Sequence, residues 1–193
     1  KHRNIIYSQQ GLPWFVGGKF QKETKSWKEK FEKDYDELSS IKSANKTKLM
    51  SIVFSDKNFT KGHIQRKKFV EKLKKHFGND LDIFGVGFNE VEEKWDAISP
   101  YKHNLAVENC SVDDYWTEKL SDAFLGFSYP IYYGCKNIDK YFDKDAMTVI
   151  DINDFKGSIE KIEKIISENY YEKHYGKIVE ARDIILNKYN IFG

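Results

Sequence analysis

The sequence has little of several features that identify particular classes of protein. It contains two cysteines, Cys110 and Cys135, which are too few for a disulfide framework and too far apart for a metal knuckle, so a reducing compartment is the simpler interpretation. No apolar run approaches the ~20 residues that span a bilayer, and no signal peptide is visible. Because the chain begins at Lys1 rather than at a methionine, we expect it to be part of a longer protein.

An excess of charge of either sign is also missing. Thirty-two basic and 30 acidic residues leave a formal net charge of +2, which is not the electrostatic signature of a nucleic-acid-binding protein. We therefore expect no nucleic-acid partner, although the basic stretches "KGHIQRKK" and "KLKK" keep that class open as a distant alternative. With 40% apolar and 16% aromatic residues, the chain can build a substantial hydrophobic core.

The composition changes near residue 48. Residues 1–48 combine a Gly-rich apolar stretch with a charged run that has no clear core face, whereas residues 49–193 alternate between strand-like and helix-like segments. Buried strands are predicted at 49–54, 81–87, 104–108, 129–134 and 147–150. Helical segments are predicted at 62–77, 90–98, 115–125, 136–142, 158–166 and 175–186. This alternation predicts an α/β fold, with a parallel sheet covered by helices on both faces.

Basic residues occur at two predicted helix starts that directly follow strands. His63 and Arg66 open one helix, and Lys119 lies in the first turn of the other, where the helix dipole favours acids instead. An anion above each helix start would explain this choice, and two converging starts could hold a diphosphate. Glu118 cannot bind phosphate, but its carboxylate could accept two hydrogen bonds from a vicinal diol. Diphosphate together with ribose describes a nucleotide.

Ordinary structural roles remain open for the same residues. Glu118, Lys119 and Arg66 could be solvated positions on charged helices. His63 could be only a polar residue near a helix start, and Tyr115 could pack on the core.

Motifs around these residues resemble a known family. The segment "AVENCSVDDYWTEKLSDAFLGFSYPIYYGCKNI" resembles the donor-binding signature of the glycosyltransferase family 10 fucosyltransferases, roughly F-x-x-x-x-E-N-S, then Y-x-T-E-K, then P-(I/V)-Y-x-G. Upstream, "SDKNFTKGHIQRKKFVEKL" is similar to the S-x-K-x-x-T-x-G-H-x-x-R segment of bacterial members, and "DIFGVG" to the strand between them. The likeness runs from about Leu49 to about Phe155, and it departs at Cys110 (usually Ser) and Trp116 (commonly Val or Phe).

The resemblance implies a Rossmann-like, C-terminal donor-binding domain of a GT-B enzyme at 49–193, with 1–48 a remnant of the acceptor side or a linker. It implies inverting transfer of fucose from GDP-fucose to a glycan acceptor without a metal or other cofactor. By the family's pattern, Arg66 and Lys119 would hold the diphosphate. Glu118 would bind the ribose hydroxyls, and Tyr115 and Asn109 the nucleoside or sugar side.

Further expectations follow from the same resemblance. His63 is included in the donor-binding set, while the general base is expected outside most of this chain, so that the isolated chain could be inactive. The "DKD" of Asp143 and Asp145 imitates a metal-binding Asp-x-Asp motif, but it is far in sequence from the basic helix starts, and we expect no metal.

We expect the protein to be located in the cytoplasm or on the cytoplasmic face of the membrane if it is bacterial, and in the Golgi lumen if it is eukaryotic. A non-catalytic nucleotide-sugar or glycan-binding module, or a transferase for another nucleotide sugar, remains the alternative.

Overall fold

A five-stranded sheet forms the centre of the computed structural model, which describes residues 14–18, 20–21, 26–27, 33–54, 59–85, 88–89 and 91–190. A short antiparallel pair precedes it, β1 (Phe20–Gln21) and β2 (Ser26–Trp27). The central strands are β3 (Lys48–Val53), β4 (Leu81–Phe84), β5 (Tyr101–Val107), β6 (Tyr129–Tyr133) and β7 (Thr148–Val149). They are all parallel and lie in the order β4-β3-β5-β6-β7.

Six α-helices connect or follow these strands in the described residues: α1 (Tyr35–Ser40), α2 (Lys61–Phe77), α3 (Glu118–Leu125), α4 (Phe155–Ser167), α5 (Tyr170–Lys173) and α6 (Tyr175–Asn187). The short helices predicted at 90–98 and 136–142 are single 3-10 turns over Lys94–Ala97 and Ile138–Lys140. Residues 86–87 of the predicted second strand lie outside the described residues. That strand ends at Phe84 because Gly85 turns the chain with φ of +130°.

The order of the strands creates a switch point between β3 and β5. Helix α2 leads from β3 to β4 on one side, whereas α3 leads from β5 to β6 on the other. Since crossovers between parallel strands are right-handed, α2 and α3 cover opposite faces of the sheet. Helix α4 packs against α2, where the ring centres of Phe69 and Phe155 are 6.0 Å apart. Arg182 of α6 donates to the carbonyl of Leu125 in α3. The predicted parallel sheet with helices on both faces is confirmed.

Helical spacing in the sequence selects the residues that α2 buries. The apolar residues Phe69, Val70, Leu73 and Phe77 recur at helical spacing in the sequence; the first three are each at most 2% exposed, whereas Phe77 is half-buried. Full burial of such a side chain contributes about 1.5–3 kcal/mol, so this stripe holds α2 on the sheet. Arg66 lies on the same buried stripe, at 5% exposed, one turn before Phe69. A buried arginine at this place is the first sign that the start of α2 has a particular role.

The first part of the chain, where it is described, packs on the same core. Trp14, Val16 and Leu38 are buried with the residues of the central sheet, and the indole nitrogen of Trp14 donates to the carbonyl of Lys33 (3.1 Å). Arg182 of α6 also donates to the carbonyl of Leu38. The change in composition near residue 48 is therefore not a break in the packing of the described residues. None of the described helices is both long and apolar enough to cross a membrane.

Candidate functional site

The two basic helix starts lie side by side at the carboxyl edge of the sheet. Strands β3 and β5 are neighbours there, and α2 and α3 begin just beyond them. In open parallel sheets, the crevice at such a switch point is the usual place for a ligand. The side chain of Thr60 caps α2 by accepting from the backbone N–H of His63 (3.2 Å). The loop residues 55–58 of the upstream motif lie outside the described residues.

A tight turn before α3 presents the central motif. Asp114 adopts a left-handed conformation with φ of +58°, which aspartate tolerates better than most residues. The turn leaves Tyr115 39% exposed and buries Trp116 to 1% exposure, with the Trp116 ring against Tyr141 and Phe142. Trp116 is therefore an anchor that fixes the start of the helix.

Helix α3 begins at Glu118, with Thr117 as its N-cap. The prediction that residues 115–119 form the first turn is therefore wrong by three residues. The reason is that the turn at Asp114 and the buried Trp116 keep the chain non-helical up to the capping hydroxyl. Lys119 nevertheless remains in the first turn, where its positive charge opposes the helix dipole.

Glu108, the residue after β5, organises this helix start and was not singled out as a site residue from the sequence. Its side chain is fully buried. One carboxylate oxygen, Oε1, accepts from the backbone N–H (2.9 Å) and the hydroxyl (2.8 Å) of Thr117. The other, Oε2, lies 3.2 Å from Nζ of Lys119. The one signal in the sequence was the glutamate of the E-N-S motif element.

Glu118 and Lys119 form an ion pair instead of diverging. Lys119 Nζ lies 3.2 Å from Oε1 of Glu118. Although adjacent helical residues leave the backbone about 100° apart, these two side chains are long enough to meet beyond the helix start. The two side chains therefore point to each other in this conformation, and their assignment to separate groups of a nucleotide stays a prediction. Two carboxylates already offset the charge of Lys119, so its place in the first turn does not require a ligand.

Opposite charges keep both members of this pair ionised. Burial would lower the pKa of Lys119, but Glu108 and Glu118 more than offset it and raise that pKa above its ordinary value. Burial would raise the pKa of Glu118, but Lys119 and Lys94 more than offset it and lower that pKa. Both groups therefore carry their charges at neutral pH.

Arg66 reaches the same place from α2 and is not a solvated helix residue. Its Nη1 donates to the side-chain oxygen of Asn109 (2.7 Å) and to the carbonyl of Val107 (3.3 Å). Its guanidinium lies 4.7 Å from the centre of the Phe54 ring. Burial lowers the pKa of Arg66, and the charges of Glu108 and Glu118 oppose that effect. Its Nε makes no hydrogen bond within the described residues, so the guanidinium keeps donor capacity for an anion.

Tyr115 lies beside this charged group, and His63 lies in the first turn of α2. The half-buried ring of His63 is edge-on to that of Phe59, with the ring centres 6.5 Å apart. Burial and the charge of Glu108 raise the pKa of Tyr115, so its phenol stays protonated and can donate a hydrogen bond. The structure thus groups Arg66, Asn109, Glu118 and Lys119 closely, with Tyr115 beside them and His63 at the start of α2.

A second buried ion pair lies beneath this group. Lys94 Nζ is 2.5 Å from Oδ2 of Asp122 in α3, and Oδ1 of Asp122 accepts from the backbone N–H of Phe15 (2.8 Å). Burial raises the pKa of Asp122, which Lys94 opposes. Lys94 and Lys119 both line a cavity of about 10 Å³, which is room for about one water molecule. The only sequence signal for Asp122 was an acid on the apolar face of α3.

Two glycines allow the elements around Glu108 to approach closely. A Cβ at Gly62, in the first turn of α2, would lie 1.9 Å from the carbonyl oxygen of Asn109. A Cβ at Gly134, the glycine of the P-I-Y-x-G element, would lie 2.3 Å from the hydroxyl of Tyr132 and 2.5 Å from Cγ of Glu108. Any larger residue would push these elements apart.

The Asp-x-Asp sequence lies against α6. Asp143 accepts from the backbone N–H of Asp145 (2.9 Å) and pairs with Lys177 of α6 (3.1 Å). These two contacts lower the pKa of Asp143. Its carboxylate thus serves a local turn and a surface ion pair.

Sequence relatives of this chain are fucosyltransferases. It is 36% identical over 80 residues to an alpha-(1,3)-fucosyltransferase of Helicobacter pylori, a match that covers 42% of this chain and 16% of the relative. It is 38% identical over 82 residues to an alpha-(1,4)-fucosyltransferase of Arabidopsis thaliana, covering 40% of this chain and 20% of the relative. These matches therefore span one fifth or less of each relative.

The fold is that of a solved fucosyltransferase, and a family assignment follows from the sequence. The crystal structure of an alpha1,3-fucosyltransferase with GDP-fucose aligns with a TM-score of 0.54 at 23% identity, over 83% of this chain and 51% of that one. Residues 43–177 match the family described as "Glycosyltransferase family 10 (fucosyltransferase) C-term". That match covers more than half of the sequence and includes the whole cluster at the switch point. The chain therefore belongs to glycosyltransferase family 10, the fucosyltransferases.

Proposed function

We propose that the crevice between β3 and β5 binds GDP-fucose, and that this chain is the donor-binding part of an enzyme that transfers fucose to a glycan acceptor with inversion. The observation that carries the proposal is the meeting of Arg66, Asn109, Glu118 and Lys119 at the switch point. These residues occupy the family's donor-binding motif positions. The solved relative with GDP-fucose, whose fold this chain shares, supports the choice of donor.

Binding requires one exchange of partners inside the cluster. The Glu118–Lys119 contact opens, so that Lys119 Nζ donates to a phosphate oxygen and the Glu118 carboxylate accepts from the ribose hydroxyls. Each partner then trades one charge-assisted contact for another, which keeps the net cost of opening small. Tyr115 and Asn109 line the nucleoside or sugar side of the same crevice, and His63 lies in the first turn of α2.

The leaving group is stabilised by fixed positive charge. As the bond from the anomeric carbon to the phosphate oxygen breaks, negative charge develops on the departing GDP. Lys119 and Arg66 stabilise that charge, and because neighbouring side chains already hold both cations they need little reorganisation. The N-termini of α2 and α3 add the positive ends of their dipoles. Two cations and two helix starts can perform the role that a divalent metal has in other glycosyltransferases.

The acceptor side of the reaction is proposed to lie outside most of this chain. An acceptor hydroxyl, deprotonated by a general base there, attacks the anomeric carbon on the side opposite the leaving phosphate. A single displacement of this kind inverts the configuration at that carbon.

Calorimetric titration of the chain with GDP, UDP and ADP tests the proposal. GDP should bind most tightly, and EDTA should leave its affinity unchanged, because the protein supplies the positive charge. Comparable affinities for the three diphosphates would overturn the assignment of the donor. A loss of affinity in EDTA that Mn²⁺ restores would contradict the metal-independent mechanism. A competing RNA that displaces GDP with a steep salt dependence would favour a nucleic-acid-binding site instead.

A further inference from the structure

Lys119 has two carboxylate partners that differ in their freedom to move. The side chain of Glu118 is 28% exposed, and that of Glu108 is 0% exposed. The backbone N–H of Glu108 donates to the carbonyl of Tyr133 in β6 (2.8 Å). Its carboxylate is held in turn by the backbone N–H and the hydroxyl of Thr117. Glu118 can therefore turn toward a ligand, whereas Glu108 cannot.

We propose that Glu108 is a positioning residue of the donor site, which stays on Lys119 when Glu118 leaves it for the ligand and so keeps the ammonium group in place and charged. The role of the ligand in this statement rests on the proposed function. The contact between Glu108 and Lys119 does not.

Charge near Lys119 explains why such a partner is needed. Burial lowers the pKa of Lys119, and the two carboxylates raise it. Of the other groups around the cluster, Arg66 from α2 and Lys94 from the 3-10 turn are positive, and Tyr115 from the preceding loop is a neutral phenol with a raised pKa. Once Glu118 accepts hydrogen bonds from a diol, Glu108 is the carboxylate that remains on the ammonium group.

The glycine of the P-I-Y-x-G element gives independent support. A Cβ at Gly134 would lie 2.5 Å from Cγ of Glu108, so the absence of a side chain at Gly134 makes the space in which Glu108 is buried. The hydroxyl of Tyr132 closes the same space and accepts from the backbone N–H of Cys135 (2.7 Å). The E-N-S and P-I-Y-x-G elements thus meet at one buried carboxylate behind Lys119.

The test replaces Glu108 and measures the pKa of Lys119 directly. Lysines of the whole chain are converted to ¹³C-dimethyl-lysine, and Lys119→Arg identifies the NMR signal of Lys119. In Glu108→Gln without ligand, the pKa of Lys119 should fall by about one unit or more, the usual effect of a charge at this distance. The affinity for GDP should then begin to fall at a lower pH than in the wild type, because Lys119 loses its charge at a lower pH. Adding Lys119→Arg should restore binding at that pH, because arginine stays charged.

Asp122→Asn is the matched control, because Asp122 is the other fully buried carboxylate near α3 but pairs with Lys94. It should lower the stability of the fold and leave the titration of Lys119 unchanged. The proposal would be overturned if the pKa of Lys119 shifts equally in both variants, or if it is unchanged in folded Glu108→Gln. If circular dichroism shows that Glu108→Gln is unfolded, Glu108→Asp takes its place. This variant moves the carboxylate away from Lys119 by one methylene and should lower the pKa of Lys119. An unchanged pKa of Lys119 in Glu108→Asp would also overturn the proposal. If the wild type binds no GDP, the proposed function fails, and the titration still decides the role of Glu108.

Discussion

The charges in the crevice balance before any ligand arrives. Arg66 and Lys119 are positive and Glu108 and Glu118 negative, and all four lie in one connected group of contacts and charges. A ligand that engages Lys119 or Glu118 must replace a contact that already exists. The partly exposed contact between Glu118 and Lys119 is the one that can open, so these two residues should respond differently to changes in the ligand.

Glu118→Gln should weaken GDP binding by about one to two orders of magnitude, because a hydrogen bond to a charged group contributes about 1.5–3 kcal/mol. The loss should be smaller with 2′-deoxy-GDP, which lacks one of the two hydroxyls that Glu118 is proposed to bind. Calorimetric titration measures both values. Glu163→Gln, an exposed glutamate paired with His76, is the control and should bind both ligands as the wild type does. Equal losses with GDP and with 2′-deoxy-GDP would contradict the assignment of Glu118 to the ribose.

Lys119→Ala should destabilise the ligand-free fold as well as weaken binding, because it leaves the buried carboxylate of Glu108 without its cation. An unsatisfied buried group costs about 1–3 kcal/mol, which urea unfolding at pH 7 would detect. Lys164→Ala removes an exposed ion pair with Glu168 and should change the free energy of unfolding by less than about 0.5 kcal/mol. If both variants have the stability of the wild type, the Glu108–Lys119 contact does not contribute to the fold.

At the scale of secondary-structure elements, close approach at Gly62 brings the start of α2 to the end of β5. The backbone of α2 passes so near the carbonyl of Asn109 that any side chain at residue 62 would overlap it. This approach also allows Arg66, one turn later, to bond Asn109 and the carbonyl of Val107. The glycine of the T-x-G-H segment is therefore required for packing.

Gly62→Ala should lower the free energy of unfolding by about 1–3 kcal/mol, as overpacking usually does, and should weaken GDP binding by moving Arg66 and Asn109 apart. Urea unfolding and titration with GDP measure the two effects. Gly176→Ala in α6 is the matched control, since a Cβ at Gly176 would meet nothing within 4 Å. It should leave binding unchanged and should leave stability unchanged or raise it by up to about 1 kcal/mol. Equal behaviour of the two variants would contradict this account of α2.

For the molecule as a whole, a buried histidine in the central sheet makes the fold sensitive to acid. His103 of β5 is 2% exposed. Its pKa is lowered to about 4, chiefly by burial; the charge of Glu172 opposes this shift, and those of Lys102 and Lys46 add to it. The unfolded chain binds this proton at its ordinary pKa of about 6.5, whereas the folded chain does not bind it until about pH 4. The free energy of unfolding must therefore fall as the pH drops from about 6.5 to about 4.

His103→Gln should remove most of this acid sensitivity. At about 1.36 kcal/mol per pKa unit, the wild type should lose on the order of 3 kcal/mol between pH 6.5 and pH 4 from this group, and the variant should lose much less. Urea unfolding at several pH values measures the slope. A His103→Gln variant with an unchanged slope would show that other groups cause the acid sensitivity.

The elements that could be predicted are those that depend on residues near one another in the chain. The spacing of Phe69, Val70 and Leu73 was enough to predict α2, and short apolar segments were enough for the strands. The start of α3 was misplaced because its position depends on Trp116, which packs on aromatic residues about 25 positions later. No local pattern carries that information.

By itself, the sequence determined the alternation of strands and helices, the basic helix starts and the motifs that indicate the family, because each is contained in a short segment. Only the tertiary structure decided which strands are neighbours, and hence that Arg66 and Lys119 belong to one crevice. It also decided that Arg66 is buried against Asn109, that Glu118 and Lys119 are paired, and that Glu108 lies behind them. The physical reason is that burial and electrostatic partnership depend on distances in space, which the order of strands sets between residues that lie tens of positions apart in the chain.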